Sequence, residues 1–239
     1  MSRCASEQAR RRSPRPLDAD WLVLRDLRTA IASVLGSVAR KGGVALDFGC
    51  GSKPYEQLFT TAGMRYVGAD FGNKAELGID QMGRLQAADR SSDLVVSFQV
   101  LEHVRDLGLY LSEAHRVLRA EGALMLSTHG TWLYHPHPED HRRWTRGGLI
   151  VELSNYGFEV VECIPIVGPL AWTTIIRLTC AKFALDKIPM LGPLLGDLLA
   201  LLMNLRAMIE DAITPDWVKR ENACVYLVLA RRKAKGGRR

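Results

Sequence analysis

The sequence lacks the cysteine pattern of a disulfide framework or a zinc ribbon. Its five cysteines, at positions 4, 50, 163, 180 and 224, include no pair at CxxC spacing, and the odd number leaves one over. Thiols without partners are typical of a reducing compartment. We therefore expect a cytoplasmic protein, with peripheral attachment at the inner face of the membrane as the alternative.

Long uncharged apolar runs are also missing. In the most apolar region the longest such run, Cys163–Ile176, is too short for a membrane-spanning helix. Before Asp18 there is no apolar stretch of the kind that forms the core of a secretory signal peptide. With 47% hydrophobic and 24% charged residues, the chain is neither collagenous nor wholly disordered, and we expect one sizeable globular core.

Acidic residues are scarce at the two ends of the chain. The first 16 residues carry a net charge of +4 and residues 231–239 carry +6, which leaves −4 for residues 17–230. We expect both basic tails to be disordered and solvated, and contact with anionic lipid or nucleic acid is the alternative.

Short apolar strands alternate with helical patterns over residues 17–164. The runs "VALDF", "MRYVGADF", "DLVVSF" and "ALMLST" are typical of strands buried on both faces. A helix with Asp18 or Asp20 as its cap precedes the first run, and a crossover helix before the fourth run is predicted to end near Gly122. The alternation predicts an α/β fold with an open, doubly wound parallel sheet.

Residues 165–215 are too apolar for an ordinary surface linker. The pattern predicts two or three short helices, broken at Pro189 and Pro193. This insertion has three possible roles: a lid over the site, a membrane contact, or a partner surface that includes a homodimer interface. Residues 216–230 follow it as the closing strand of the core, with "ACVYLVLA" as the strand itself.

In an open α/β sheet the ligand binds outside the carboxyl ends of the strands. There the sequence places Asp47 with Gly49 and Gly51, then Asp70 with Phe71. Further along the chain, Asp80, Gln99 and His129 follow the next predicted strands. Three of these positions are acidic, so the ligand at this edge is expected to carry positive charge.

A dinucleotide does not suit this edge. The third glycine of a GxGxxG turn is replaced by Pro54, and Asp47 would lie beside the phosphates. S-adenosylmethionine fits better, because its ammonium and sulfonium are cationic and glycines let the backbone approach it. Asp70 can accept both ribose hydroxyls, and Asp80 with Gln81 can address the adenine amine.

The motifs "VALDFGCGSKPY", "YVGADF", "DLVVSFQVLEHV" and "HRVLRAEGALMLST" together resemble class I S-adenosylmethionine-dependent methyltransferases. The resemblance is strongest to the small-molecule, type 11-like group with the "VLEHV" signature, and it covers about residues 44–161. It implies a seven-stranded Rossmann-like sheet whose last strand is antiparallel. It also implies that the turn Gly49, Cys50 and Gly51 lines the methionine moiety together with Asp47, and that Gln99 lies below the sulfonium.

Methyl transfer from a sulfonium needs a positioned nucleophile and no metal, and an alcohol or phenol acceptor would also benefit from a base. Candidates for the base are Glu102 and His103, and the histidines and acids of the next loop. That cluster comprises His135, His137, Glu139, Asp140 and His141.

The loop has three interpretations. It is a substrate lid whose Arg142, Arg143 and Trp144 contact an anionic or sugar-containing acceptor, a polar loop in which Asp140 and Thr145 cap the next helix, or a metal site. The two prolines between the histidines leave no helical register for a metal, so we assign none.

The sequence therefore predicts a methyltransferase that uses S-adenosylmethionine on a small-molecule, lipid or lipid-linked glycan acceptor. An RNA methyltransferase is an alternative, although the acidic body makes nucleic acid a poor partner. A non-catalytic scaffold that binds the cofactor is the other alternative.

Overall fold

The computed structural model describes residues 9–72, 75–136 and 139–233. The chain forms a seven-stranded sheet in the order β3-β2-β1-β4-β5-β7-β6. The strands are β1 (Val44–Phe48), β2 (Arg65–Phe71), β3 (Leu77–Ile79), β4 (Ser92–Phe98), β5 (Leu118–His129), β6 (Phe158–Ile166) and β7 (Val225–Arg232). Strand β7 is antiparallel to β5 and β6, whereas the pairs among β1 to β5 are parallel. The predicted Rossmann-like fold is confirmed.

Helices cover both faces of this sheet. They are α1 (Trp21–Val38), α2 (Glu56–Thr61), α3 (Leu107–Val117), α4 (Arg146–Asn155), α5 (Pro169–Leu185), α6 (Leu191–Ile213) and α7 (Asp216–Glu221), with a 3-10 turn at Leu101–His103. One core cluster joins the sheet to α1, α5 and α6, and a second joins its other face to α3 and α4. The result is a three-layer α/β/α arrangement.

Helices α5 and α6, with the connection 186–190, form what we call the apolar hairpin. It packs on the α1 side of the sheet, where Trp172, Ile175 and Ala207 belong to the same cluster as Ile31. The predicted break at Pro193 is wrong. Pro193 lies in the first turn of α6, a position that tolerates proline because the N–H groups there have no helical partner.

The predicted start of α1 is confirmed, whereas two other predicted boundaries are wrong. Asp20 is the N-cap residue of α1, although its side chain makes no cap bond, and the Asp18 carboxylate accepts the N–H of Arg15. Helix α3 ends at Val117, so Gly122 lies inside β5 rather than at the helix end. Residues 216–221 form helix α7, so the closing strand begins only at Val225.

The described part of the N-terminal segment is ordered against the body. Residues 9–12 are helical, Arg10 pairs with Asp20, and Asn204 of α6 donates to the carbonyl oxygen of Pro16 at 2.7 Å. Residues 9–16 therefore depart from the expected disordered tail. At the other end, β7 includes the first two residues of the expected tail, whereas residues 1–8 and 234–239 lie outside the described residues.

Strands β1 and β4 are neighbours although other strands separate them along the chain. This is the point where the strand order reverses, and ligands of such sheets bind in the crevice outside it. The parallel direction of β1 to β5 brings their carboxyl ends to one edge. The expected site residues therefore meet at that edge.

Candidate functional site

The turn after β1 has a backbone that only certain residues adopt readily. Gly49 has φ +86° and Gly51 has φ +49°, in the left-handed region that favours glycine. A Cβ on Gly49 would lie 2.8 Å from the side chain of Val100, whereas a Cβ on Gly51 would meet open space. Gly49 therefore lets the turn pack closely against the loop after β4, and Gly51 leaves the outer side of the turn without a side chain.

Asp70 ties this turn to the end of β2. Its Oδ2 accepts the N–H of Gly51 at 2.7 Å, and its Oδ1 accepts the N–H of Phe71 at 2.7 Å. Each carboxylate oxygen has two acceptor positions, so Asp70 keeps capacity for two further donors. The ring of Phe71 stands beside it and is 65% exposed.

The carboxyl group of Asp47 lies in the protein interior rather than at the open surface of the crevice. It is buried, and the hydroxyl of Tyr66 donates to its Oδ2. Burial raises the pKa of Asp47 to about 7, the Tyr66 hydrogen bond opposes this, and the nearby Asp70 adds to it. The acidic lining of the crevice is therefore presented by Asp70, with Asp47 beneath it.

An ion pair that the sequence did not indicate closes the side of the turn. Lys53, at φ +56°, pairs with Glu76, and Glu76 also accepts the N–H of Gly68 at 2.9 Å. A Cβ on Gly68 would lie 2.5 Å from Cε of Lys53 and 2.7 Å from Sγ of Cys50. Burial raises the pKa of the Cys50 thiol to about 12, so this thiol stays protonated and unreactive.

Asp80, which was expected to contact the adenine, makes hydrogen bonds within its own loop. Oδ1 of Asp80 accepts the N–H groups of Met82 and Arg84, both at 2.9 Å, and Gln81 is exposed in the same turn. Asp80 lies directly after β3, whose residue Ile79 pairs with Phe71. The adenine assignment of Asp80 and Gln81 stays a prediction.

Gln99 connects the ends of β4 and β5. Its φ is +58°, which is uncommon for a residue with a side chain and is often found at functional sites. The Gln99 N–H donates to the carbonyl oxygen of Ser127 at 2.9 Å, and its side-chain amide lies 3.3 Å from the Ser127 hydroxyl. The structure therefore fixes Gln99 at the centre of the edge, next to the switch point.

A buried carboxylate and a buried imidazole lie at the end of β5. Oε1 of Glu102 is 2.7 Å from Nδ1 of His129, and Oε2 accepts the Thr128 hydroxyl at 2.9 Å. Burial opposes ionisation of Glu102, but the His129 contact prevails and lowers its pKa, whereas burial lowers the pKa of His129. At neutral pH the pair is a carboxylate facing a neutral imidazole.

His103 and His135 complete this cluster. One ligand atom from each of Glu102, His103 and His135 lies within 4.8 Å of the others. The His135 ring stands edge-on to both His103 and His129, at centroid distances of 5.0 and 4.9 Å. The sequence analysis placed His129 at the carboxyl end of a strand without giving it a role, and this strand-end position was the signal that could have identified it.

The His103 ring has a defined tautomer. Its Nδ1 is hydrogen-bonded to the backbone carbonyl oxygen of Glu139, which can only accept. In the neutral form of this ring the proton is therefore on Nδ1 and the lone pair is on Nε2. Burial, followed by the neighbouring His129, lowers the pKa of His135 to about 4, so the His135 ring is neutral at pH 7.

One carboxylate and two imidazoles could also hold a divalent cation. Oε2 of Glu102 already accepts the Thr128 hydroxyl, however, and Oε1 lies 2.7 Å from Nδ1 of His129, so a cation would have to enter between these groups. Proton transfer uses the cluster as it stands, so it is the chemistry that the geometry favours.

The loop after β5 folds back onto this cluster. Arg143 donates to both oxygens of Asp140, and Asp140 accepts the N–H of His135 at 2.9 Å. Asp140 therefore does not cap α4. Thr145 does, because its hydroxyl oxygen accepts the N–H of Gly148 at 3.0 Å.

The remaining loop residues separate into two groups. The His141 backbone N–H donates to the Glu102 carbonyl oxygen at 2.9 Å, but the His141 ring lies outside the cluster, with Nε2 3.0 Å from the Glu139 carboxylate, which also accepts from Arg105. Arg142 donates to the backbone carbonyls of Val104 and Arg105. His137 lies outside the described residues, so its expected role stays a prediction.

Three aromatic rings continue from the cluster to the apolar hairpin. His129 stacks on Trp132 at a centroid distance of 4.8 Å, and Trp132 stacks on Trp172 of α5 at 4.6 Å. Trp172 is buried. The hairpin is therefore in direct contact with the wall of the site.

A family profile described as a methyltransferase domain matches residues 22–163. A curated relative in Mycolicibacterium smegmatis, named "Probable S-adenosylmethionine-dependent methyltransferase", is 28% identical over 142 residues, which cover 52% of this chain and 55% of the relative. One of the same description in Mycobacterium tuberculosis is 30% identical over 142 residues, covering 52% of each. The chain thus spans about half the length of the curated relatives it matches.

Solved structures share the fold at low sequence identity. A Burkholderia thailandensis 1,6-didemethyltoxoflavin-N1-methyltransferase has a TM-score of 0.55 at 15% identity, covering 98% of this chain and 92% of its own. A Haemonchus contortus phosphoethanolamine N-methyltransferase in complex with S-adenosyl-L-methionine has a TM-score of 0.55 at 15% identity, covering 87% and 52%. Fold and family profile agree with the methyltransferase predicted from the motifs: the chain belongs to the methyltransferase-domain family.

Proposed function

We propose that this chain transfers a methyl group from S-adenosylmethionine to a hydroxyl group of a small-molecule or lipid acceptor. The observation that carries the proposal is the position of Asp70. Its carboxylate accepts the N–H of Gly51, so it lies beside a turn whose backbone is not covered by a side chain at Gly51. A carboxylate held in this way accepts ribose hydroxyls next to a backbone that a ligand can approach closely.

The described residues fit the cofactor. Gly51 leaves open space where a Cβ would stand, and Asp70 keeps two acceptor positions, which matches two ribose hydroxyls. We assign the ribose to Asp70, the methionine moiety to the turn of Gly49, Cys50 and Gly51 above Asp47, and the adenine to the side of Phe71 and Asp80. When bound, the cofactor supplies a methyl group on a sulfonium, which is already an activated leaving group.

His103 is the proton acceptor in this proposal. Its lone pair is on Nε2 because Nδ1 donates to the Glu139 carbonyl, so it can take the proton that a hydroxyl loses when it attacks. Glu102, ionised and buried beside it, favours the positive charge that then develops on the ring. His129 and Thr128 hold Glu102 in place, and the stacked Trp132 excludes water from that side.

Cofactor binding is tested by calorimetry with Asp70→Asn. We expect the affinity for S-adenosylmethionine to fall by about 10- to 100-fold, because hydrogen bonds to a charged group contribute about 1.5–3 kcal/mol each. Asp89→Asn is the matched control, since Asp89 is an exposed acid that contacts Arg116 away from the edge. An unchanged affinity in Asp70→Asn, with circular dichroism that shows an intact fold, would contradict the site.

The base is tested with His103→Gln. Transfer of labelled methyl groups from the cofactor into a cell extract is expected to fall about 10²- to 10⁴-fold while cofactor affinity stays the same. His141→Gln is the control, because this ring contacts Glu139 and lies apart from the cluster. Equal losses in the two variants would show that His103 is not the proton acceptor.

A further inference from the structure

Helix α6 turns its large apolar side chains away from the protein. Ten of its leucine, methionine and isoleucine side chains are exposed, among them Leu194, Leu198, Leu202 and Leu205. Its buried face consists of Gly192, Gly196, Ala200, Asn204, Ala207 and Glu210. A surface helix of a water-soluble protein has the opposite arrangement, with its apolar stripe toward the core.

The packed face of α6 is built as in membrane proteins. Small residues allow close approach: a Cβ on Gly192 would lie 2.0 Å from the carbonyl oxygen of Leu185, so α5 and α6 meet backbone to backbone there. Donor groups on that face find acceptors within the protein. Asn204 donates to the carbonyl oxygens of Pro16 and Asp18, and the Thr174 hydroxyl donates to Glu210.

The exposed apolar surface continues around the tip of the hairpin. Phe183, Ile188 and Leu191 are exposed there, and Met190 is 93% exposed. At the far end of the hairpin, Trp217 of α7 is 72% exposed. Exposed apolar side chains with an aromatic side chain near each end are the composition of a segment that lies in a membrane interface.

Length and composition alone would let α6 cross a bilayer. Among the residues that the structure describes, it is the one helix that passes this test, and 28% of its most apolar window is buried. At 1.5 Å per residue its 23 residues span about 34 Å. The core helix of a soluble protein can pass the same test, but such a helix is mostly buried, whereas α6 is mostly exposed.

A spanning position is nevertheless excluded by the packed face. That face is covered along its length, and its neighbours include Lys182, which pairs with Asp197, and Asp18. Crossing the bilayer would carry these charges into the hydrocarbon, which is costly. A one-sided apolar surface on a helix that stays attached to its own protein suits a position parallel to the membrane plane.

We propose that the apolar hairpin docks this protein on the surface of an anionic bilayer, with α6 lying along the interface. Its exposed side chains would enter about 5–10 Å, to the boundary of headgroups and acyl chains. Charged side chains border the surface. Lys187 is exposed at the tip beside the exposed Asp186, Arg177 is exposed on α5, and Arg12 and Arg15 are exposed in the N-terminal segment that contacts α6.

The described end of β7 lies away from this surface. It is reached at Arg231, which pairs with Ala123, whereas the hairpin joins the sheet at the opposite end of β7, where Val225 pairs with Ile166. The hairpin carries four basic and four acidic residues, so among the described residues the excess of cations that attracts anionic lipid comes from the N-terminal segment.

Docking also bears on the acceptor, a step that rests on the proposed function. Trp172 of α5 stacks on Trp132, which stacks on His129, so the membrane-facing hairpin forms one wall of the catalytic cluster. An acceptor that enters from the bilayer, with its hydroxyl at the headgroup level, would reach this cluster without crossing water. The acceptor class is then an amphiphile rather than a freely soluble metabolite.

Docking is tested by sedimentation of the full chain with vesicles. We expect binding to vesicles of phosphatidylcholine and phosphatidylglycerol (3:1), and weaker binding to phosphatidylcholine alone. The double variant Leu198→Glu/Leu202→Glu is expected to reduce the partition coefficient at least 10-fold. Val161→Glu, which charges an equally exposed apolar position on β6, is the matched control and is expected to bind as the wild type does.

Three results would overturn the proposal. The first is a wild-type protein that stays in the supernatant, and the second is a double variant that still sediments. The third is a dimer in light scattering that the double variant converts to a monomer, since this face would then be an interface between copies. Because the readout is binding, methyl transfer can succeed while docking fails, and the two proposals are separately testable.

Discussion

Helices α1 and α6 cover the same face of the sheet and differ in which side they bury. In α1 the buried residues are large: Leu22, Val23, Leu24, Leu27, Ile31, Val34 and Leu35. In α6 they are glycine, alanine, asparagine and glutamate, and the leucines are outside. Both sequences have apolar residues at helical spacing, so periodicity identifies an apolar face without showing what covers it.

The opposite face explains the difference. Helix α1 carries Arg25, Asp26 and Arg28 opposite its leucines, and charged side chains belong in water. Helix α6 carries small residues there, which cost little to bury and let α5 approach. A small-residue face opposite a leucine face is therefore a sign that the leucines have another environment.

The largest expected effect is in α1. Ile31→Ala should lower the free energy of unfolding by about 2–5 kcal/mol, because it leaves a cavity in the core cluster. The matched variant Leu205→Ala in α6 should change it by less than about 0.5 kcal/mol in water, since that side chain is 57% exposed. Urea unfolding of the two variants tests the comparison, and equal losses would contradict it.

A buried acid on the α1 side should make stability depend on pH. Burial raises the pKa of Asp47 to about 7, above its ordinary value of 3.8, so between these values the folded state holds a proton that the unfolded state has lost. Stability should therefore fall as pH rises from about 4 to 7. Asp47→Asn should remove this loss and be more stable than the wild type at pH 8 by about 1–4 kcal/mol.

Urea unfolding at pH 4 and pH 8 measures this difference. The two proteins should differ least at pH 4, where Asp47 is protonated in the folded state and still partly protonated in the unfolded state. Asp89→Asn, at an exposed acid, is the control and should show no such trend. An advantage of Asp47→Asn that does not grow with pH would show that Asp47 is ionised in the fold.

An intermediate effect is expected on the packed face of α6. Asn204→Leu removes the donors to the carbonyl oxygens of Pro16 and Asp18 and leaves buried groups without partners, at a cost of about 1–3 kcal/mol. The same change at Asn222, an exposed residue of the α7 end, should cost much less. Urea unfolding compares them, and equal effects would show that the packed face of α6 contributes little.

The smallest effect on stability should come from the outward face of α6. Leu202→Gln is expected to change the free energy of unfolding by less than about 0.5 kcal/mol, because the side chain is already exposed. Its solubility in vesicle-free buffer should rise, since an exposed apolar group is removed. A large destabilisation would instead indicate that Leu202 is covered in the folded protein.

Much of the fold was predictable from local pattern. The run "VALDF" coincides with β1, and "DLVVSF" lies within β4. Short apolar runs of this kind are typical of parallel strands that are buried on both faces. The strand-end rule also placed Asp70 and the glycine turn at one edge, and the bond between Asp70 and Gly51 joins them. Such predictions succeed because the parallel direction of the strands brings their ends together.

The details of the site were less predictable, for a physical reason. His135 and His141 were both expected in the site. Only His135 lies beside Glu102 and His103, whereas the His141 ring contacts Glu139, because the loop turns between the two histidines. Glu102 pairs with His129, 27 positions away, and Lys53 pairs with Glu76. These contacts depend on how two loops meet, which no spacing along the chain encodes.

By itself, the sequence determined the order of strands and helices, the family, and the residues that stand at the carboxyl edge, since these follow from periodicity and from motifs read locally. Tertiary structure alone decided that Asp47 lies beneath the crevice under Tyr66, that His129 faces Glu102, and that the leucines of α6 point outward. Each of these depends on which surfaces meet when distant segments pack, and burial and pairing arise only at that stage.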